Sequence, residues 1–239
     1  MPVAVAMVLG LACLARPALG QEPFTIEATA ARTFAQLPKQ WKAVLDSGGS
    51  QLVTSVNGLS VTVVEIWWSK AVPGMKKAPV LPQVNYSQLK PGAVVGLLQF
   101  PADSPEDFRE DSLDQKLKPG FYSLRYAQLS LETSEGEPSP YRDLVLLTPL
   151  DADPKPERPL PVEELMQLSR RASHSQIPAA ISLVPANPAY KHLPSVIDDD
   201  SGQCVLQANI RVAIAVGKHT RQLPLASVLV TPRKESGAS

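Results

Sequence analysis

The densest run of oxygen donors in the chain is Asp198-Asp199-Asp200-Ser201-Gly202. Hard cations such as calcium take carboxylate oxygens, which makes Asp198 and Asp200 the candidate metal ligands. The run lacks the alternating spacing and distal glutamate of an EF-hand loop. It also lies between two strand-like stretches, where a polar hairpin turn is the competing reading. A second acidic stretch, with Asp103, Glu106, Asp107, Glu110, Asp111 and Asp114, reads as a solvated flap rather than an acid/base pair. His174, His192 and His219 fall in loops or at strand ends. One of them beside a carboxylate in a loop cleft would make a hydrolase of unfamiliar type, the alternative to a non-enzymatic protein. Sequence signatures of the common enzyme classes are absent: there is no G-x-S-x-G, H-E-x-x-H, C-x-x-C or glycine-rich phosphate loop. Aromatic rings stack on sugars, and Trp68 and Tyr86 are the candidate ligand-binding residues on that ground. Trp67 and Trp68 are neighbours on a strand and face opposite sides, so at most one of them is exposed.

The elements that must position these residues are mostly strands. Residues 52–56 and 59–68, rich in β-branched side chains, flank Asn57-Gly58, a pair suited to the positive φ angles of a type I′ turn. A hairpin is expected there. The tetrad LKPG occurs at 89–92 and again at 117–120, each time ahead of a strand, and reads as a type II turn that launches it. In the second of these strands Tyr122, Leu124 and Tyr126 share one face while Phe121, Ser123 and Arg125 share the other, and one face is expected to be core. Further strands are expected at 143–148, 181–184, 195–197, 203–216 and 223–231, with an exposed proline- and lysine-rich loop at 71–89. A short helix is expected over 38–45. The clearest helix covers 162–172, where Pro161 stands at the entry, Glu163 and Glu164 in the first turn and Arg170 and Arg171 in the last. Its narrow apolar face suits packing along a sheet edge. The fold class that follows is mainly β: an antiparallel β-sandwich, immunoglobulin-like or transthyretin-like, with one or two short helices.

Composition bounds the compartment and the partners. Hydrophobic residues make up 44% of the 239 and charged ones 19%, enough apolar material for one sizeable core. The 24 prolines disfavour long helices, because each internal proline removes a donor and clashes with the preceding turn. Basic and acidic residues both number 23, and without a basic patch the chain is not expected to bind nucleic acid. The apolar stretch from Val3 to Leu14, followed by Ala18-Leu19-Gly20, reads as a signal peptide cleaved before Gln21. It is too short for a membrane span and none is expected elsewhere. No lysine or arginine precedes the stretch, which a start codon upstream of Met1 would explain. The expected location is secreted or periplasmic. Removal of 1–20 also removes Cys13, leaving Cys204 as a buried apolar side chain without a disulfide partner.

Val64-Glu65-Ile66-Trp67-Trp68-Ser69-Lys70-Ala71-Val72, the two LKPG turns, residues 120–126 and residues 141–149 together resemble an uncharacterised group of secreted bacterial β-sandwich proteins. The resemblance spans roughly residues 60–185. It implies the fold class and the export, and it carries no activity and no catalytic residue. The expected organisation is a signal peptide at 1–20, an N-terminal strand and short helix at 21–48, a β-sandwich domain at 49–232 and a disordered tail at 233–239. The expected function is that of an exported non-enzymatic module that binds a protein or glycan through its loops at 71–89 and 103–114. No cofactor is expected unless calcium occupies the Asp198 turn.

Overall fold

Short apolar, often β-branched runs bounded by turn residues recur along the chain, and strands form at them, the central ones, Val94–Phe100, Gly120–Leu129 and Arg142–Pro149, being buried on both faces. The computed structural model describes residues 24–29, 31–56, 59–76, 84–106, 109, 111–113, 115–129, 142–198, 204–213 and 219–230. Eleven strands follow in order: β1 Thr25–Ala28, β2 Ser50–Val56, β3 Leu59–Trp68, β4 Val72–Pro73, β5 Val94–Phe100, β6 Gly120–Leu129, β7 Arg142–Pro149, β8 Ala180–Val184, β9 Ser195–Asp198, β10 Cys204–Ala213 and β11 Thr220–Val230. Three helices accompany them, α1 Ala31–Gln36 and α2 Lys39–Val44 before β2, and α3 Val162–Ser173 between β7 and β8. The protein is thus mainly β, and its sheet is antiparallel apart from the short β4–β10 pairing.

All eleven strands belong to one hydrogen-bonded sheet in the order β1-β2-β3-β5-β6-β7-β8-β11-β10-β4, with β9 also paired to β10. The sheet curls into a nearly closed barrel. Closure follows from β4, which comes four residues after the end of β3 and pairs with β10 through Val72–Val212 and Pro73–Ala213. The two layers that a sandwich would stack are here joined edge to edge through β8, which pairs with β7 on one side and β11 on the other.

The interior is filled by one face of each strand. Val64 and Ile66, Val95 and Leu98, Tyr122, Leu124 and Tyr126, Val145 and Leu147, Leu206, Ile210 and Val212, and Leu225 and Leu229 form a single cluster. An opening within it, lined by Ile66, Val95, Leu124 and Leu225, is about 10 Å³, room for about one water. Outward faces are covered too. Trp41 and Leu45, from α2 and the residue after it, pack with Trp67, Leu97 and Phe121. Leu165 of α3 packs with Leu144 and Leu146 of β7 and Ala127 and Leu129 of β6. The helix therefore lies over the middle of the sheet, not along an edge. The expected core face of β6 is Tyr122, Leu124 and Tyr126, and Ser123 and Arg125 on its second face are fully buried as well.

The burial of Arg125 has a clear cause. Residues 150–160 cross the outer face of β6, and Asp153 within them makes a two-pronged ion pair with Arg125, at 2.7 Å on both prongs. The remaining guanidinium hydrogens go to the carbonyl oxygens of Gly92, Arg158 and Lys155, at 2.6, 2.9 and 3.1 Å. All five donors are used, as burial of an arginine requires.

The two LKPG tetrads differ in outcome. Lys90 C=O accepts from Ala93 N–H and Gly92 has φ +78°, a type II turn as expected. Gly120 has φ +147° and already belongs to β6, so the second tetrad leads straight into the strand and Tyr122 Oη caps it by donating to Lys118 C=O.

Candidate functional site

β7 and β8 pair only from Leu144 to Leu146 against Ala180 to Ser182. Beyond that short ladder the strands part, and a cleft of about 410 Å³ opens between them, lined by Asn85, Arg142, Asp143, Ser182, Leu183, Val184 and Pro185. The exposed side chains of Asn85 and Arg142 and the half-buried Ser182 offer amide, guanidinium and hydroxyl donors at its rim. Leu183, Val184 and Pro185 supply an apolar wall. Together they present a concave surface of the kind that binds a ligand by a few polar contacts on an apolar bed.

Behind the cleft stands a closed polar network. Asp143 is 2% exposed. Its Oδ1 accepts from Tyr126 Oη at 2.6 Å, and its Oδ2 accepts from the backbone N–H groups of Asn85 at 2.5 Å and Tyr86 at 3.3 Å. Tyr126 Oη in turn accepts from Gln128 Nε2 at 2.7 Å. Tyr86 Oη reaches across the end of the β8–β11 ladder, donating to Val184 C=O at 2.7 Å and accepting from Ala226 N–H at 3.0 Å. Burial pushes the Tyr86 phenol up to about 12, with the Asp143 charge adding to it. Burial raises Tyr126 further, helped by its hydrogen bond to the carboxylate. Both phenols stay protonated, and the Asp143 oxygens are committed to the fold.

The residues singled out from the sequence are not gathered at this cleft. Trp68 is half-buried and packs against the barrel core, where its ring lines the one-water opening and its Nε1 has no partner. Trp67 faces the other way, fully buried beneath α2. Tyr86 borders the cleft in sequence but is 2% exposed, so its ring is a wedge in the wall and not a stacking platform. Asp198 ends β9 opposite Cys204, and Asp199 and Asp200 lie outside the described residues. Among the described residues no three His, Cys, Asp or Glu side chains gather as a metal site. His174, His192 and His219 are exposed on three separate segments. In the acidic loop, Asp111 is 2% exposed and accepts from Leu113, Gln115 and Ala180 N–H and from Gln115 Nε2, which makes it an anchor between loop and β8. Asp107, Glu110 and Asp114 lie outside the described residues.

Sequence reading missed Asp143, Tyr126 and Gln128. The signal was present in part: an aspartate opening an otherwise apolar strand must be paired if it is buried. Its partners are 17 to 58 residues away, a distance that no local pattern spans. A second opening of about 430 Å³ lies on the outer face by α2, between Pro38, Pro119, Phe121, Pro149, Leu150 and Asp151. Asp151 and Tyr122 are the polar side chains of its lining, and the Tyr122 hydroxyl is already given to Lys118 C=O.

No helix among the described residues is long and apolar enough to cross a membrane. Compared with known proteins, the chain matches no family model, no curated protein and no solved structure.

Proposed function

We propose that the chain is an exported, non-enzymatic β module that binds a protein or glycan partner in the cleft between β7 and β8. The finer fold reading that goes with it is a sandwich of immunoglobulin-like or transthyretin-like type, its layers joined at β8. The observation that carries the reading is the cleft itself, walled by strands and rimmed by Asn85, Arg142 and Ser182. The filled barrel interior supports a surface site over an enclosed one. Residues 71–89, expected to contact a partner, reach the cleft rim at Asn85.

A thermal-shift screen of residues 21–239 against soluble polysaccharides, oligosaccharides, calcium and a chelator tests this, followed by capture of proteins from the exporting cell. A ligand that binds only the folded state raises the melting point, by about 2.7 kcal/mol of stability at a hundredfold excess over Kd. Arg142→Glu and Ser182→Arg, both at the rim, are expected to abolish the shift or the capture while the melting point of the free protein stays put. Partner binding that survives both substitutions moves the site elsewhere. A shift with calcium alone assigns Asp198 and Asp200 instead.

A further inference from the structure

The ladder between β7 and β8 fixes which backbone groups face the cleft. Leu147 N–H donates to Ala179 C=O at 3.0 Å, and the register puts Val145 opposite Ile181. Backbone groups point the same way at every second residue of a strand, so Asp143 and Leu183 come next in phase, each turned toward the other strand. Tyr126, opposite Val145, confirms the phase, because its own N–H and C=O go to Ala93 and Gly92 on the far side of β6. Yet the ladder stops at Leu144–Ser182, and no Asp143–Leu183 pair forms. Pro185 follows in the same phase with no N–H, so the ladder does not resume. Register sets the side chains too. Ser182 stands opposite Leu144, so Arg142, two residues before Leu144, shares its face at the diagonal distance of about 7–8 Å. Asp143 is turned to the other face, and its oxygens are taken by Tyr126, Asn85 and Tyr86. Arg142 forms no ion pair among the described residues. The cleft thus combines an unpaired stretch of backbone, one free positive charge and an apolar wall of Val184 and Pro185, and the ladder closes its inner end.

Resting on the reading of this cleft as the binding site, we propose that its occupant is the C-terminus of a peptide chain, added as a short strand between β7 and β8. Strand addition draws affinity from main-chain hydrogen bonds and specificity from the side-chain pockets beside them. Asp143 N–H and Leu183 C=O are the groups offered to it. A strand that ran on would collide with the Leu144–Ser182 pair, so only a chain end fits. Arg142 beside the Ser182 hydroxyl suits a carboxylate and repels an amine, which selects the C-terminal end. Val184 and Pro185 favour an apolar last side chain.

The probes are N-acetylated pentapeptides ending in valine, leucine, phenylalanine or lysine, each made as the free acid and as the C-terminal amide, titrated into the isotope-labelled full chain and followed by NMR. Free acids with an apolar last residue are expected to shift the backbone amide signals of Asp143 and Leu183, and to bind about tenfold tighter than the matching amides, as a charge-assisted hydrogen bond at a solvent-bordered site allows. Arg142→Gln is expected to bring acid and amide to the same affinity while the melting point of the free protein stays put. The inference is overturned if no free acid shifts those signals at millimolar concentration, if acid and amide bind alike, or if Arg142→Gln keeps the preference for the acid. An oligosaccharide or captured protein that Ser182→Arg displaces, in a chain that ignores every free acid, sinks the C-terminus and keeps the cleft. Partner binding that survives Ser182→Arg removes both.

Discussion

Arg125 and Asp153 are 0% and 1% exposed, and neither has an escape to water. A pair of this kind contributes little net stability when intact, yet removing one partner strands the other. Asp153→Ala is expected to cost about 3–5 kcal/mol in denaturant unfolding. Arg125→Lys is expected to cost several kcal/mol as well, since an ammonium group has three donors and cannot span a carboxylate and three carbonyls. Gly92 matters for a different reason. Its φ of +78° disfavours any side chain, and an added Cβ would stand 1.9 Å from Leu160 C=O. Because Gly92 C=O also accepts from Arg125 and Leu160, Gly92→Ala should loosen the crossing segment together with the turn, at a cost of more than about 2 kcal/mol. A wild-type unfolding midpoint for any of the three variants would contradict this account.

Elements differ in how far their sequences announce them. β2 and β3 pair from Ser50–Ile66 to Val56–Leu59, which leaves a two-residue connection at Asn57-Gly58, itself outside the described residues. That hairpin was readable because its signal is local. So was α3, with an entry proline and charges placed to suit the helix dipole. Helix α1 was not, because six residues carry too little periodicity to stand out. β4 was hidden inside a proline- and lysine-rich stretch, and its two residues form a strand only because β10 lies beside them. Val72, Tyr86 and Leu89 of that stretch are buried, and Tyr86 is held there by Asp143 and Val184, residues that no window around 86 includes. The end of α3 offers a test of local conformation. His174 closes the helix at φ 54°, a left-handed position that glycine occupies without strain. His174→Gly is expected to raise stability by about 1 kcal/mol, seen as a higher melting point with no change elsewhere.

At the scale of the whole molecule, buried acids and phenols set the pH dependence. Glu65 and Asp111 are both raised by burial. For a raised acid, the folded state keeps a proton that the unfolded chain has already lost. The stability this gives is therefore full below the unfolded value, about 4, and is lost as pH rises through the folded value. The melting point of residues 21–239 is expected to fall between pH 4 and neutrality, and Glu65→Gln is expected to flatten part of the slope. A second decline belongs between pH 10 and 12, where the unfolded Tyr86 phenol ionises and the folded one does not. Tyr86→Phe is expected to reduce that alkaline decline while lowering stability at neutral pH, because it leaves Val184 C=O and Ala226 N–H without the hydroxyl between them.

The closure of the sheet depends on its last strand. β8 has no partner on one side until β11 arrives, and Tyr86 waits for Ala226, 140 residues further on. β4 likewise waits for β10. During synthesis, the first two hundred residues can form the hairpin and the β5-β6-β7 meander, but they cannot seal the core. A chain built this way remains threadable until its C-terminal hairpin is made, and then commits to its fold in one late, slow step governed by long-range pairing. Under the export proposed above, that order of events acts as a timer.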